Sequence, residues 1–346
     1  MKRKLLALTM ALLMLGGALA GCRQKSAETT TPAPETSAPV ETTAQPTQET
    51  GDTVRFAVLN GPTGVGAAKL MADSDAGTTA NSYNVEVFTA NDQVAAGLTN
   101  GEIDIAAVAS NVAANLYNKT DGGIQMLAVS GLGVLYILEN GDTVHSMADL
   151  AGHTLYATGQ GANPEYVLNY LLTENGVDPA DVDIQWKTGD EITTLMVSGE
   201  ADLCMLPVPA ATAVQLKNAD VREALDLSAE WDNLQNGSHL TMTTIVARTD
   251  FIQEHPQAVE NFLADYQASV DYVNGDPAAA DELVASYGIT ANAQIAEAAI
   301  PKCALVCITG ASDMRSAIQG YYEVLYQANP DSIGGGIPDD AFYYQG

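Results

Sequence analysis

Two stretches of the chain repeat one another, and this duplication constrains the fold more than any other feature of the sequence. At an offset of one hundred, Phe56-Ala57-Val58-Leu59-Asn60-Gly61-Pro62-Thr63 lies over Tyr156-Ala157-Thr158-Gly159-Gln160-Gly161-Ala162-Asn163. At an offset of ninety-eight, Asn91-Asp92-Gln93 lies over Gly189-Asp190-Glu191. At the same offset Asn100-Gly101-Glu102-Ile103-Asp104-Ile105 lies over Ser198-Gly199-Glu200-Ala201-Asp202-Leu203. Each copy reads as an apolar strand, a polar turn, a helix, a Gly-Glu-x-Asp turn and a second apolar strand. The pattern predicts two similar α/β lobes of about one hundred residues each.

The chain leaves the first lobe along one strand-like run, Gly131 to Leu138, and re-enters along another, Leu240 to Ala247. Two such crossings predict a hinge. The first lobe is accordingly expected at 53–134 plus 245–330, the second at 135–244, and a tail at 331–346. After the second crossing Pro256 opens a helical segment. Its Val259, Phe262, Leu263, Tyr266, Val270 and Val273 form one apolar stripe.

The first fifty residues have a different character. Lys2-Arg3-Lys4 precedes the apolar run Leu5 to Leu15, which is short for a membrane span, and Leu19-Ala20-Gly21-Cys22 closes it. Residues 23–50 are rich in Thr, Pro, Glu, Ala and Ser and hold too little apolar surface to fold, so 22–52 is expected to be a disordered, solvated tether. The 346 residues carry 14 Lys and Arg against 43 Asp and Glu, a net charge of −29. That balance argues against nucleic acid, because phosphate contacts need clustered cations. Cys204, Cys303 and Cys307 form neither a disulfide framework nor a zinc signature. If Cys303 to Ile308 is one strand, Cys303 and Cys307 sit ~13 Å apart, too far to bridge.

Leu19-Ala20-Gly21-Cys22 resembles a bacterial lipobox, which implies removal of the signal peptide 1–21 and lipidation of Cys22. Taken with the Thr/Pro tether, the duplicated lobes, Gly61-Pro62-Thr63-Gly64, Asn100-Gly101-Glu102-Ile103-Asp104 and Gly159-Gln160-Gly161-Ala162-Asn163-Pro164-Glu165, the chain resembles the substrate-binding lipoproteins of ABC importers. The most similar branch handles nitrate, sulfonates, taurine and thiamine precursors, and the resemblance covers roughly 53–330. It implies a two-lobed α/β fold of the type II periplasmic-binding-protein class, each lobe a mixed sheet flanked by helices. It also implies a monomeric, extracytoplasmic, lipid-anchored protein that captures a small molecule between its lobes. Delivery would be to ABC permease and ATPase subunits, with no catalysis and no cofactor. An enzyme on the same scaffold and a ligand-sensing lipoprotein are the alternatives.

Ligands of open α/β sheets bind beyond the carboxyl ends of the strands. From the first lobe this selects Asn60, Gly61, Pro62, Thr63 and Gly64, and from the second Gln160, Gly161, Ala162, Asn163 and Glu165. The two loops are expected to face each other. Amides donate and accept, and glycines let backbone approach a ligand. The other strand ends add Ser110 and Asn111, each a helix cap or a ligand contact, and Pro207 and Pro209. Leu132 on the crossing run is a candidate for the floor. No Arg or Lys lies in these loops, which favours an uncharged, zwitterionic or singly anionic solute. His145, His153, His239 and His255 lack metal-ligand spacing, so no metal is expected. The glycines of Gly61 to Gly66 match neither the dinucleotide fingerprint nor a P-loop.

Overall fold

The computed structural model describes residues 52–346. Cys22, the signal segment and all of the tether but its last residue lie outside the described residues. The strands of the first part are β1 (Thr53–Leu59), β2 (Ser82–Phe88), β3 (Ile105–Ala109) and β4 (Ile124–Gly131). Next come β5 (Leu135–Asn140), β6 (Thr154–Ala157), β7 (Asp183–Trp186), β8 (Leu203–Pro207) and β9 (Val221–Asp226). Finally β10 (Thr243–Arg248) and β11 (Leu305–Ile308) return to the first part.

Two mixed sheets result. The first has the order β11-β4-β10-β3-β1-β2 and the second β7-β6-β8-β5-β9. In the first, β1 runs parallel to β2 and β3, while β10 is antiparallel to β3 and β4. In the second, β6 runs parallel to β7 and β8, while β5 is antiparallel to β8 and β9. The same five-strand arrangement therefore occurs twice. In each copy the antiparallel member, β10 or β5, is the strand that has just crossed from the other sheet.

The crossings are tighter than the sequence runs suggested. Gly131 to Leu138 is not one strand: β4 ends at Gly131, Leu132 to Val134 passes between the lobes, and β5 begins at Leu135. A Cβ at Gly133 would lie 2.1 Å from Ser228 Oγ and 2.8 Å from Leu240 Cδ2, so only glycine lets the first crossing lie against the second. The returning strand begins at Thr243, two residues before the expected boundary, and the Met242 N–H donates to the Gly131 carbonyl at 3.2 Å. Cys303 precedes β11 rather than lying in it.

Burial follows strand position. Edge strand β2 alternates exposed and half-buried residues, whereas interior strand β3 is buried from Ile105 to Val108. The helix Pro256–Gly275 buries Val259, Phe262, Tyr266, Val270 and Val273 of its predicted stripe, with Leu263 half-buried. Phe262 meets Phe56 of β1 edge-on, with centroids 4.9 Å apart. Trp231 and Tyr117 serve packing. Trp231 is enclosed by Tyr170 and Tyr321, and Tyr117 lies on Phe342. The tail is part of the fold: Phe342 and Tyr343 are buried, and Asn118 Nδ2 donates to the Ile333 and Gly336 carbonyls at 2.6 Å.

Asp104, in the first Gly-Glu-x-Asp turn, is a structural residue. Its carboxylate accepts from the Arg55 N–H and Arg55 Nε at 2.9 Å and from Arg248 Nη2 at 3.0 Å, tying β1 and β10 to the turn before β3. Burial pushes this carboxyl up, but the hydrogen bonds from Arg55 and Arg248 outweigh it and hold it below the usual aspartate range. A carboxyl lowered in the folded state stabilises fully above its unfolded pKa, and that stability is lost as pH falls through the folded value. The Asp104→Asn variant should lose ~3 kcal/mol at neutral pH, the lower end for a broken buried pair because Arg55 is partly exposed. Denaturant titrations should also show a shallower acid-side loss of stability in the variant than in the parent chain.

Candidate functional site

At the carboxyl end of β1 the chain turns through Asn60 and Gly61 into the helix Pro62–Asp75. Gly61 takes φ of 109°, a value that favours glycine, and its site for a Cβ lies 4.0 Å from Pro209 Cδ of the second lobe. No side chain caps this helix, and its first turn contains no acidic residue. Opposite it, β8 ends at Pro207, and Val208 and Pro209 lead into the helix Ala210–Lys217. Between the two turns lies a cavity of about 440 Å³, a size suited to a small solute. Asn60, Gly61 and Pro62 form one wall, Pro207 to Ala210 and Ala213 a second, and Ile289, Thr290, Ala291 and Ile295 a third.

Five of the expected site residues, Asn60, Gly61, Pro62, Pro207 and Pro209, therefore meet in one cavity. The pairing differs from the expected one. The first-lobe loop faces the loop after β8, and Gln160 to Asn163 are not among the residues lining this cavity. Glu165 lines a separate cavity of about 480 Å³ with Tyr166, Asn169 and Tyr170, closed on the other side by Val324, Gln327 and Ala328. Glu165 also accepts a hydrogen bond from the Gly161 N–H at 2.5 Å, so this helix start already carries its own carboxylate. Ala162 is the residue preceding the helix Asn163–Glu174, and Gln160 and Gly161 are exposed. Asn163 stands apart from its neighbours. It is buried, and neither its Oδ1 nor its Nδ2 has a partner among the described residues.

Other candidates are committed to the scaffold. Thr63 Oγ1 donates to the Leu59 carbonyl and accepts from the Leu59 N–H, both at 3.0 Å, closing the turn after β1. A Cβ at Gly64 would lie 2.9 Å from the Leu59 carbonyl and 3.0 Å from Ile289 Cγ1, so this glycine serves helix–strand packing rather than ligand approach. Ser110 does not cap its helix: it is buried, and its Oγ donates to the Thr241 carbonyl at 2.8 Å. Asn111 lines a third cavity, of about 350 Å³, with Asn91, Asp92 and Ser332. Leu132 is half-buried on the crossing, where its N–H donates to Ala304 at 3.0 Å.

The third wall, Ile289 to Ile295, went unrecognised in the sequence. It joins the helices Pro277–Ser286 and Ala293–Ala299, which lie outside both repeats. Its only local signal is the Tyr287-Gly288-Ile289-Thr290 break between helical runs. From this region Lys302 reaches the second lobe, where its Nζ donates to Glu223 at 2.6 Å and to Gln215 at 3.1 Å. On the far side Asn329 Nδ2 donates to Tyr166 Oη at 2.9 Å.

The comparisons with known proteins bear on the fold. The family model described as NMT1/THI5 like matches residues 123–280. No curated protein matches the sequence. Among solved structures, an ABC transporter from Parabacteroides distasonis is similar over 85% of this chain and 99% of its own, at 23% identity and a TM-score of 0.72. The periplasmic aliphatic sulphonate binding protein SsuA from Escherichia coli is similar over 82% of this chain and 94% of its own, at 16% identity and a TM-score of 0.66. This chain has the two-lobed periplasmic-binding-protein fold. A variant of DszB in complex with biphenyl-2-sulfinic acid is similar as well, at 13% identity and a TM-score of 0.55 over 84% of this chain and 97% of its own. A two-lobed fold of this kind is thus a scaffold rather than an activity.

The packing argument for Gly64 has a direct test. Gly64→Ala should destabilise the protein by ~1–3 kcal/mol, because neither the Leu59 carbonyl nor Ile289 can withdraw without moving the turn. A melting temperature equal to that of the parent would show that the turn has room after all.

Proposed function

We propose that this protein is an extracytoplasmic solute receptor. It is tethered to the membrane through a lipid on Cys22, takes a small organic solute between its lobes, and delivers it to an ABC permease and its ATPase. The observation that carries this reading is the cavity where the ends of β1 and β8 bring both lobes onto one space. The fold shared with an ABC transporter protein and a sulphonate-binding protein supports it. The loops Asn60 to Gly64, Gln160 to Glu165 and Pro207 to Pro209 hold no Arg or Lys, which suits an uncharged, zwitterionic or singly anionic solute. The solute would be retained by closure of the lobes about Leu132 to Val134 and the return to β10. Asn60, Gly61, Pro62, Pro207 and Pro209 would line it, and the chain would act as a monomer.

Asn163, which does not line the cavity, would meet the same polar group of the ligand as Asn60 only on closure of the lobes, giving it the buried amide that has no partner among the described residues. A buried amide without partners costs about 1–3 kcal/mol per unsatisfied group in the empty protein. Asn163→Ala should therefore leave the melting temperature of the empty protein unchanged or higher while abolishing its ligand-induced rise. Equal losses in both would make Asn163 a structural residue.

Lys302 would act as a latch between the lobes. Its ion pair is about one-third exposed, so it contributes ~1 kcal/mol, or about fivefold in affinity. Lys302→Met should weaken ligand binding by that factor, mainly through faster dissociation, with most of the effect gone at high salt.

The similarity to DszB, which is an enzyme, supports a second reading, catalysis on this scaffold. Burial pushes the Cys204 and Cys303 thiols up to about 12, which opposes their use as nucleophiles. A melting screen of the purified protein across a metabolite library, followed by uptake assays with and without the gene, tests the receptor reading. A hit that is consumed by the protein, or uptake that is indifferent to its loss, would overturn it.

A further inference from the structure

The walls of the cavity between the lobes describe their occupant, given the receptor reading above. Three of its lining residues are the prolines Pro62, Pro207 and Pro209, which offer carbon surface and no N–H. Of the neighbouring N–H groups, that of Val208 donates to the Val134 carbonyl at 3.0 Å and that of Ala213 to the Pro209 carbonyl at 3.0 Å. The third wall adds Ile289 and Ile295, both buried. Only two lining side chains are polar. Thr290 is 6% exposed, and its Oγ1 is spent on the Asn292 carbonyl at 3.1 Å. Asn60 is exposed and makes no side-chain hydrogen bond among the described residues, so its amide is the free polar side chain of the cavity.

Among the described residues no charged side chain lines this space. The ammonium of Lys302, the cation that bridges the lobes beside the third wall, is held by Glu223 and Gln215. Around the cavity the whole chain carries −29, so an anion approaches against the field and arrives without a cation to meet it. A cation meets no carboxylate in the lining either. With no charged side chain in the lining, an ion stripped of water here regains only what the uncapped starts of the helices Pro62–Asp75 and Ala210–Lys217 return. An apolar body, by contrast, replaces water over the proline, isoleucine and alanine walls.

We propose that the cleft selects an uncharged, largely apolar solute carrying one hydrogen-bonding group, such as an amide or carbonyl, which Asn60 engages. Charge, rather than shape, is then the first criterion of selection, and it narrows the three charge classes that the loop composition allowed to one.

The test uses shape-matched sets of linear and cyclic primary amides, carboxylates and alkylammonium ions of five to eight carbons. Each is titrated at pH 7.5 into the mature, full-length protein. The amides should bind at least tenfold more tightly than their charged counterparts, with little dependence on salt. A second arm places a cation in the wall with Ala213→Lys, at a half-buried position that tolerates the longer side chain. This variant should keep the parent's melting temperature and shift the preference toward the carboxylates by at least tenfold.

A carboxylate or ammonium ion that binds the parent as well as its amide overturns the inference and leaves the receptor reading standing. An amide preference that Ala213→Lys leaves unchanged also overturns it, because binding then occurs elsewhere. Failure of the whole panel to bind overturns it too, while the metabolite screen described above decides the receptor reading separately.

Discussion

Neither sheet is complete without a strand that arrives from the other. β10 fills the gap between β3 and β4, and β5 fills the gap between β8 and β9, each antiparallel to its neighbours. The backbone hydrogen bonds of both sheet interiors therefore depend on the two crossings, and an unpaired strand in either interior would leave buried polar groups without partners. This requirement explains why the crossings are so confined. Gly133 passes within contact of Ser228 and Leu240, and the Met242 N–H pairs with Gly131 just before the sheet resumes. The lobes are thus two halves of one interdependent fold rather than two domains in series.

From this arrangement the position of the cavity follows. Because β1 and β8 belong to different sheets but both end at the junction, their turns meet, and the helices they start point their first residues into the same space. The polar chemistry of the strand ends is mostly consumed locally. Thr63 closes its own turn, Ser110 is tied to Thr241, and Glu165 holds Gly161. What remains facing the cavity is carbon from proline, isoleucine and alanine with Asn60 among it. Asn163, at the start of the helix after β6, stays buried with no side-chain partner among the described residues.

The duplication predicts the repeated order of strands and helices but not which loops oppose each other. Related residues of the two copies have come to do different work. Asp104 is clasped by Arg55 and Arg248, whereas its counterpart Asp202 is exposed. The second lobe keeps a buried carboxylate elsewhere, at Glu139, which accepts hydrogen bonds from Thr143 and the Val144 N–H and pairs with Arg222. Local sequence resemblance reports a shared backbone course. It does not report the partner that each side chain meets, because partners such as Arg55, Arg248 and Arg222 come from other segments of the chain.

The sequence by itself determined the two α/β units, the two places where the chain crosses between them, the helical stripe after Pro256 and the turns at Asn60 and Pro207. These rest on apolar periodicity and on glycine and proline, which act through near neighbours. Only the tertiary structure decided that Asn60 faces Pro209 rather than Gln160, and that Gly64 serves packing. It also decided that Ile289 to Ile295 supplies a wall and that the tail around Phe342 is core. Each of these depends on distances between segments remote in the chain, and no periodicity within one segment encodes them.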